Sequence, residues 1–394
     1  MQRHLSTMRL PTSLCIGPTP RSPPRSPPRS PPRSSSHDEL LDEKLVARPV
    51  VSTMEEASCS TWGIYSTYST YSTYSTTDDF PYLRLHGPPT KELSENLVRG
   101  LCELRHDGGM DWSLLPHPQA WQLGDTLADY FTESVRCRSR VQGRRSPLEV
   151  WQELRRSTEK RRLALGRVPS DGSLTLPLRL REAVYLSCPG TCTNFRPSMA
   201  KCVLDLAGRH IARTDLRVLD PCSGWGDRLL GALAAGVASY VGVDPNPMLV
   251  QGYAELLREL APHAPRRVDA RMISEPFETV DLGSEVFDVV FTSPPFGGRE
   301  RYWSPGSRGQ AEFLPASTWF EAWMTPALRK MHAHLAPGGL LALYLQDGAA
   351  CPGLVAQCEA VLLALGASLV YRVSCGRVHR KPLWVFQVSG APGS

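Results

Sequence analysis

Between residues 191 and 390, short apolar runs alternate with longer stretches whose apolar positions recur at helical spacing. Runs at 216–219, 240–243, 270–273, 286–291, 340–345, 368–373 and 383–388 read as strands, and Asp227–Ala235, 248–260, 318–335 and 354–365 as helices. Such alternation implies a parallel sheet with helices on both faces. Only a short polar segment separates the last two runs, too few residues for a crossover helix, so the last strand is expected to run antiparallel. The expected fold is α/β, a doubly wound seven-stranded and mostly parallel sheet with an antiparallel last strand. A mainly helical region and a disordered N-terminus should precede it.

The upstream sequence has a different character. Residues 21–33 repeat R-S-P-P and residues 65–76 repeat Y-S-T. Proline fixes φ and donates no hydrogen bond, which favours extended polyproline II. A three-residue period gives neither a helix nor a strand an apolar face. Residues 1–79 are therefore expected to be a disordered low-complexity tail, 80–190 a helical and basic accessory region, and 191–394 the α/β domain. Ser146-Pro147 has the form of a helix start. Residues 136–167 carry eleven Lys/Arg against three Glu, a net +8 in a chain whose total is +5. A phosphate backbone fits that segment; a solvated basic face is the plainer alternative.

No apolar run approaches the ~18 residues that span a bilayer, so no membrane partner is expected. The eleven cysteines include no C-x-x-C, and no metal site is expected. Reduced thiols in an intracellular, reducing compartment fit them best. The first 36 residues hold six Arg and no acid, a transit-like composition that leaves the compartment open among nucleus, cytoplasm and organelle. Oligomeric state is not encoded in any recognisable feature.

Four motifs follow strands. The first, L-D-P-C-S-G-W-G-D at 219–227, joins a strand ending in Asp220 to a helix opening at Asp227 through a glycine turn that lets backbone approach a ligand. It is not G-x-G-x-x-G, which disfavours a nicotinamide cofactor. Asp244 ends the next strand, where an acid suits the two hydroxyls of a ribose; an Asp-Pro turn is the structural alternative. Ser274-Glu275 follows the third strand. T-S-P-P-F at 292–296 follows the fourth, where prolines also serve simply to stiffen a loop.

The D-P-x-x-G-x-G form resembles the first motif of class I S-adenosylmethionine-dependent methyltransferases. S-P-P-F resembles the (D/N/S)-P-P-(Y/F/W) signature of enzymes that methylate exocyclic amines, adenine N6 and cytosine N4. Together with N-F-R-P at 194–197, these motifs are similar to a phage- and virus-associated group of DNA-methylase-like proteins over residues 190–390. The resemblance implies S-adenosylmethionine as cofactor. Pro221, Ser223, Gly224 and Gly226 would cradle its methionine portion, Asp220 its ammonium, Asp244 its ribose and Glu275 its adenine, with Phe195 packed on it. Ser293, Pro294, Pro295 and Phe296 would be catalytic. Ser293 and the Pro294 carbonyl would hold the target amine, and Phe296 would stack on a flipped base. Gly297-Gly298-Arg299 departs from the bulkier residues expected next.

The implied activity is methyl transfer to an exocyclic amine of a base in nucleic acid, DNA or RNA. A protein amide or small-molecule amine is the alternative substrate, and a non-catalytic cofactor- or nucleic-acid-binding module the third reading. No recognition domain interrupts the motifs. Target recognition is therefore assigned to residues 80–190 or to the loop 297–316, which carries Arg299, Arg301, Tyr302, Trp303 and Arg308.

Overall fold

The computed structural model describes residues 79–86, 95, 97–99, 102–116, 124–141, 143–170, 172–295, 302–303, 314–348, 351–375 and 382–390. The tail expected at 1–79 lies outside them except for Asp79, and so does Phe296. In chain order the elements are β1 (Cys102–Gly108), β2 (Asp111–Pro116), α1 (Asp125–Arg136), β3 (Arg140–Val141), α2 (Pro147–Arg155), α3 (Thr158–Leu165), α4 (Leu176–Ser187) and α5 (Pro197–Ile211). Then come β4 (Arg217–Asp220), α6 (Asp227–Ala235), β5 (Ser239–Val243), α7 (Val250–Leu260), β6 (Asp269–Ile273), β7 (Phe287–Thr292) and β8 (Tyr302–Trp303). The chain continues through α8 (Ala316–Trp319), α9 (Thr325–Ala333), β9 (Leu335–Tyr344), α10 (Leu354–Ala364), β10 (Ala367–Cys375) and β11 (Pro382–Val388).

The main sheet has the order β1-β2-β10-β11-β9-β7-β4-β5-β6. Its β6-β5-β4-β7-β9 part is parallel throughout, and β11 is antiparallel to both neighbours, β9 and β10. These seven strands are the sheet that the apolar runs dictate. The other two are a difference from expectation: the β1–β2 hairpin lies within 80–190, and β2 extends the sheet by pairing parallel to β10. Residues 105–110 of that hairpin are exposed and mostly polar or Gly, so no apolar run announces it.

Period-two alternation along buried strands sends neighbours to opposite faces. Val218, Val289, Phe291, Leu340 and Ala342 join the core under α5 and α6. Leu219, Val290, Leu341 and Leu343 join the core under α9 and α10. The helix expected over 318–335 is interrupted: a π-helical turn, Phe320–Met324, separates α8 from α9, and β9 starts at Leu335. A third cluster, with Phe80, Trp151, Leu154 and Val184, packs α2, α3 and α4 together. Ser146 caps α2 in a reciprocal capping box with Glu149, as Ser-Pro at a helix start suggests.

Candidate active site

Because β4, β5, β6, β7 and β9 run parallel, their carboxyl ends share one edge. The order reverses between β4 and β7, the position where open α/β sheets form a ligand crevice. The glycine turn follows β4, Asp244 follows β5, Ser274 follows β6 and Ser293-Pro294-Pro295 follows β7. The four motifs thus converge at one edge.

The glycine turn is fastened to β5. Ser223 donates through its N–H and its Oγ to the Val243 carbonyl, at 2.9 and 3.1 Å. The Gly224 N–H donates to Asp244 Oδ2 at 2.9 Å, and the Tyr253 hydroxyl donates to the Gly224 carbonyl. Gly224 and Gly226 have φ of 59° and 95°, left-handed values that favour glycine. A Cβ on Gly226 would lie 3.2 Å from Leu256 Cδ1, whereas one on Gly224 would meet only the Cys222 carbonyl, at 3.9 Å. Backbone at Gly224 therefore borders open space.

Asp244 Oδ1 accepts from the Asn246 N–H at 3.0 Å, so each oxygen holds one backbone donor and keeps one lone pair. Burial pushes its carboxyl up to about 7, with the two N–H donors and Arg228 working against burial, and Asp220 with it. Ser293 is half-buried, after a β7 that is buried along its whole length, and Pro294 is buried. Phe195 stands edge-on to Phe291 and Tyr344, at centroid distances of 5.6 and 5.1 Å, with the Arg228 guanidinium 5.4 Å from its ring centroid. It closes the edge above β7 and β9.

Two expected roles change. Asp220 is fully buried and saturated. Its Oδ2 accepts from Arg228 Nε and the Tyr240 hydroxyl, both at 2.7 Å, and its Oδ1 from Arg228 Nη2 at 3.2 Å and the Cys222 N–H at 3.3 Å. Four donors fill its lone-pair directions, so Asp220 anchors Arg228 and the glycine turn and offers an ammonium nothing. Glu275 is exposed, whereas the neighbouring Ser274 Oγ is buried and has no partner among the described residues. Ser274 is the better-placed group at the β6 tip.

Sequence reasoning missed a second polar layer. Asp129, on α1, accepts from Arg136, Arg181 and Asn194 at 2.7–3.0 Å, tying α1 and α4 to the segment that carries Phe195. Thr132 Oγ1 shares its one proton between the Ala128 carbonyl at 2.9 Å and the Trp225 carbonyl at 3.0 Å, which links α1 to the glycine turn. Asp129 and Thr132 fall within the 129–133 stretch, D-Y-F-T-E, where helical spacing and a faint extension of the resemblance are legible but the buried partners of Asp129 are not.

Of the eleven basic residues in 136–167, Arg136 is buried in this layer and contributes nothing to a surface. Arg155, Arg156, Lys160 and Arg162 are exposed on α2, α3 and the turn between them. Arg140–Val141 pairs antiparallel with Tyr302–Trp303. The two segments assigned to target recognition are thus joined by one backbone ladder. Among the described residues no group of His, Cys, Asp and Glu is placed to hold a metal, and no helix is long and apolar enough to cross a membrane.

No family model matches the sequence, and no curated protein does. Solved structures similar to this chain include a methyltransferase from Pyrococcus furiosus, 17% identical over 48% of this chain and 83% of that one, TM-score 0.33. An amino pentose methyltransferase from Micromonospora echinaspora, solved with S-adenosylmethionine bound, is 19% identical over 49% and 92%, TM-score 0.33. The CcbJ methyltransferase from Streptomyces caelestis is 15% identical over 52% and 95%, TM-score 0.36.

Proposed function

We propose that the chain transfers a methyl group from S-adenosylmethionine to an exocyclic amine of a nucleic-acid base. The observation that carries this reading is the convergence of the Gly224 turn, Asp244 and Ser293-Pro294-Pro295 at one sheet edge. The residues fit the cofactor: Asp244 keeps two lone pairs for two ribose hydroxyls, Gly224 borders open space, and Ser274 brings a buried hydroxyl in need of a partner. When bound, S-adenosylmethionine supplies an electrophilic methyl on a sulfonium.

An aromatic amine is a poor nucleophile because its lone pair is delocalised. Ser293 Oγ and the Pro294 carbonyl can accept its two N–H groups, localising the lone pair and stabilising the positive charge that grows on nitrogen. Holding the amine in line then lowers much of the barrier. Incubation with labelled S-adenosylmethionine and DNA, RNA and protein pools, followed by nucleoside mass spectrometry, should find N6-methyladenosine or N4-methylcytidine, as ribosides or deoxyribosides. Label confined to protein would move the substrate to an amide.

Acid should weaken cofactor binding. The charged form of Asp244 is the one that accepts two hydroxyls, and its carboxyl titrates near 7 in the ligand-free protein. Affinity should fall toward tenfold per pH unit below about 7, since binding releases one proton. Ligand-free stability should move oppositely. A raised carboxyl contributes stability that is full below its ordinary value of 3.8 and is lost as pH rises through about 7. Asp220, Arg228, Cys222 and Tyr253 are the other ionisable groups around it. Calorimetric titration of Asp244→Asn should give weaker binding with the step near pH 7 gone; a wild-type profile would remove Asp244 from the ribose.

Nucleic-acid binding should depend steeply on salt. A basic surface that neutralises phosphates releases counterions, with a log–log slope near −0.7 to −0.9 per phosphate. Replacing Arg155, Arg156, Arg161 and Arg162 by Ala should flatten the slope by up to roughly three units and leave cofactor affinity unchanged. A flat profile for the unmodified protein would favour a protein amide or small-molecule amine.

A further inference from the structure

We infer that the amino-acid end of the methyl donor is held by Asp125 and Asp227, with Arg196 facing its carboxylate, and not by the strand-end acid Asp220. The inference rests on the cofactor reading above. An ammonium donates three hydrogen bonds and needs acceptors that lack donors. Asp220 has none to give, because Arg228, Tyr240 and the Cys222 N–H saturate it.

The unsatisfied acceptors lie one helix away. Asp227 is the first residue of α6, directly after Gly226, and is 2% exposed. Its Oδ1 is buried with no partner among the described residues. Asp125 is the first residue of α1, and its Oδ1 is likewise buried and unpartnered. Burial and the neighbouring Asp129 and Asp125 push the Asp227 carboxyl up, while Arg136 and Arg228 oppose them through space. Each carboxyl group has one buried oxygen without a donor among the described residues, and a cation placed against them would restore the ionised form that burial disfavours.

The opposite charge is adjacent. Arg196 Nη1 lies 3.4 Å from Asp125 Oδ2, next in sequence to Phe195, which packs over β7 and β9. Asp129, the remaining acid of the group, is consumed by Arg136, Arg181 and Asn194. An ammonium against Asp125 and Asp227 and a carboxylate against Arg196 is the charge pattern of a free α-amino acid group. The Thr132–Trp225 bond holds α1, and Asp125 with it, against the turn.

The test compares two ligands by calorimetry on the full chain. S-adenosylhomocysteine carries the amino-acid group, and 5′-deoxy-5′-methylthioadenosine keeps the adenosine and the thioether without it. Asp125→Asn and Asp227→Asn should each weaken S-adenosylhomocysteine by about tenfold to a hundredfold and change methylthioadenosine by less than about twofold. Arg196→Gln should show the same selectivity. Equal losses for both ligands, or no loss for either, would overturn the assignment. Should Asp227→Asn fail to fold, the partly exposed Asp125 carries the decision alone. A wild-type protein that binds neither ligand overturns the cofactor reading itself, a result distinct from selective failure of the variants.

Discussion

Replacing Arg228 by Met is expected to cost about 3–5 kcal/mol of folding stability, the range for stripping one partner from a buried ion pair. Arg228 is 5% exposed and Asp220 0%, and their two hydrogen bonds are supplemented by Arg228 to the Cys222 carbonyl. Removing the guanidinium leaves a carboxylate with only the Tyr240 hydroxyl and one N–H, far from water. It also frees the glycine turn, which Arg228 grips from α6. Desolvation dominates this balance, so the double change Asp220→Asn with Arg228→Met should recover most of the loss: the charge that needed a partner is gone. Urea denaturation of the wild type, both single variants and the double variant gives the cycle. A wild-type midpoint for Arg228→Met would contradict the buried pair.

That ion pair shows where a sequence is legible and where it is not. The seven core strands can be read because strands buried on both faces of a parallel sheet are continuous apolar runs. The four motifs can be placed because a parallel sheet delivers every strand's carboxyl end to one edge, so chain order becomes spatial order. The place of Asp244 at the tip of β5 follows from that order alone. The role of Asp220 does not: whether a strand-end acid faces a ligand or a guanidinium depends on whether Arg228, eight residues on, turns inward, and neither charge nor spacing reveals the rotamer. The β1–β2 hairpin is invisible for the opposite reason. Its exposed stretch is polar, and its place in the sheet is fixed by pairing with β10, far along the chain. Asp125 and Asp227 likewise come within electrostatic reach of each other only through α1 docking on the glycine turn, a contact made by one Thr hydroxyl and packed apolar groups.

Ser293→Ala is expected to lower turnover by about 10²-fold or more while leaving cofactor affinity within about twofold. The turnover estimate follows from losing one preorganised group at the atom where charge develops. The affinity expectation follows from placement. Ser293 leaves β7, on the other side of β4 from Asp244, so on the proposed reading its hydroxyl meets the target amine and not the ribose. The buried β7, in register with β9 at Thr292 and Leu343, fixes its backbone position. Pro294 and Pro295 carry no N–H to compete for the amine's acceptors. A carboxylate is a stronger acceptor than a hydroxyl, so Ser293→Asp should keep turnover well above that of the alanine variant. Single-turnover kinetics with a saturating base substrate, beside calorimetric titration of the cofactor, separates the two quantities. Alanine and wild type transferring methyl at one rate would mean that the Pro294 carbonyl holds the amine without Ser293.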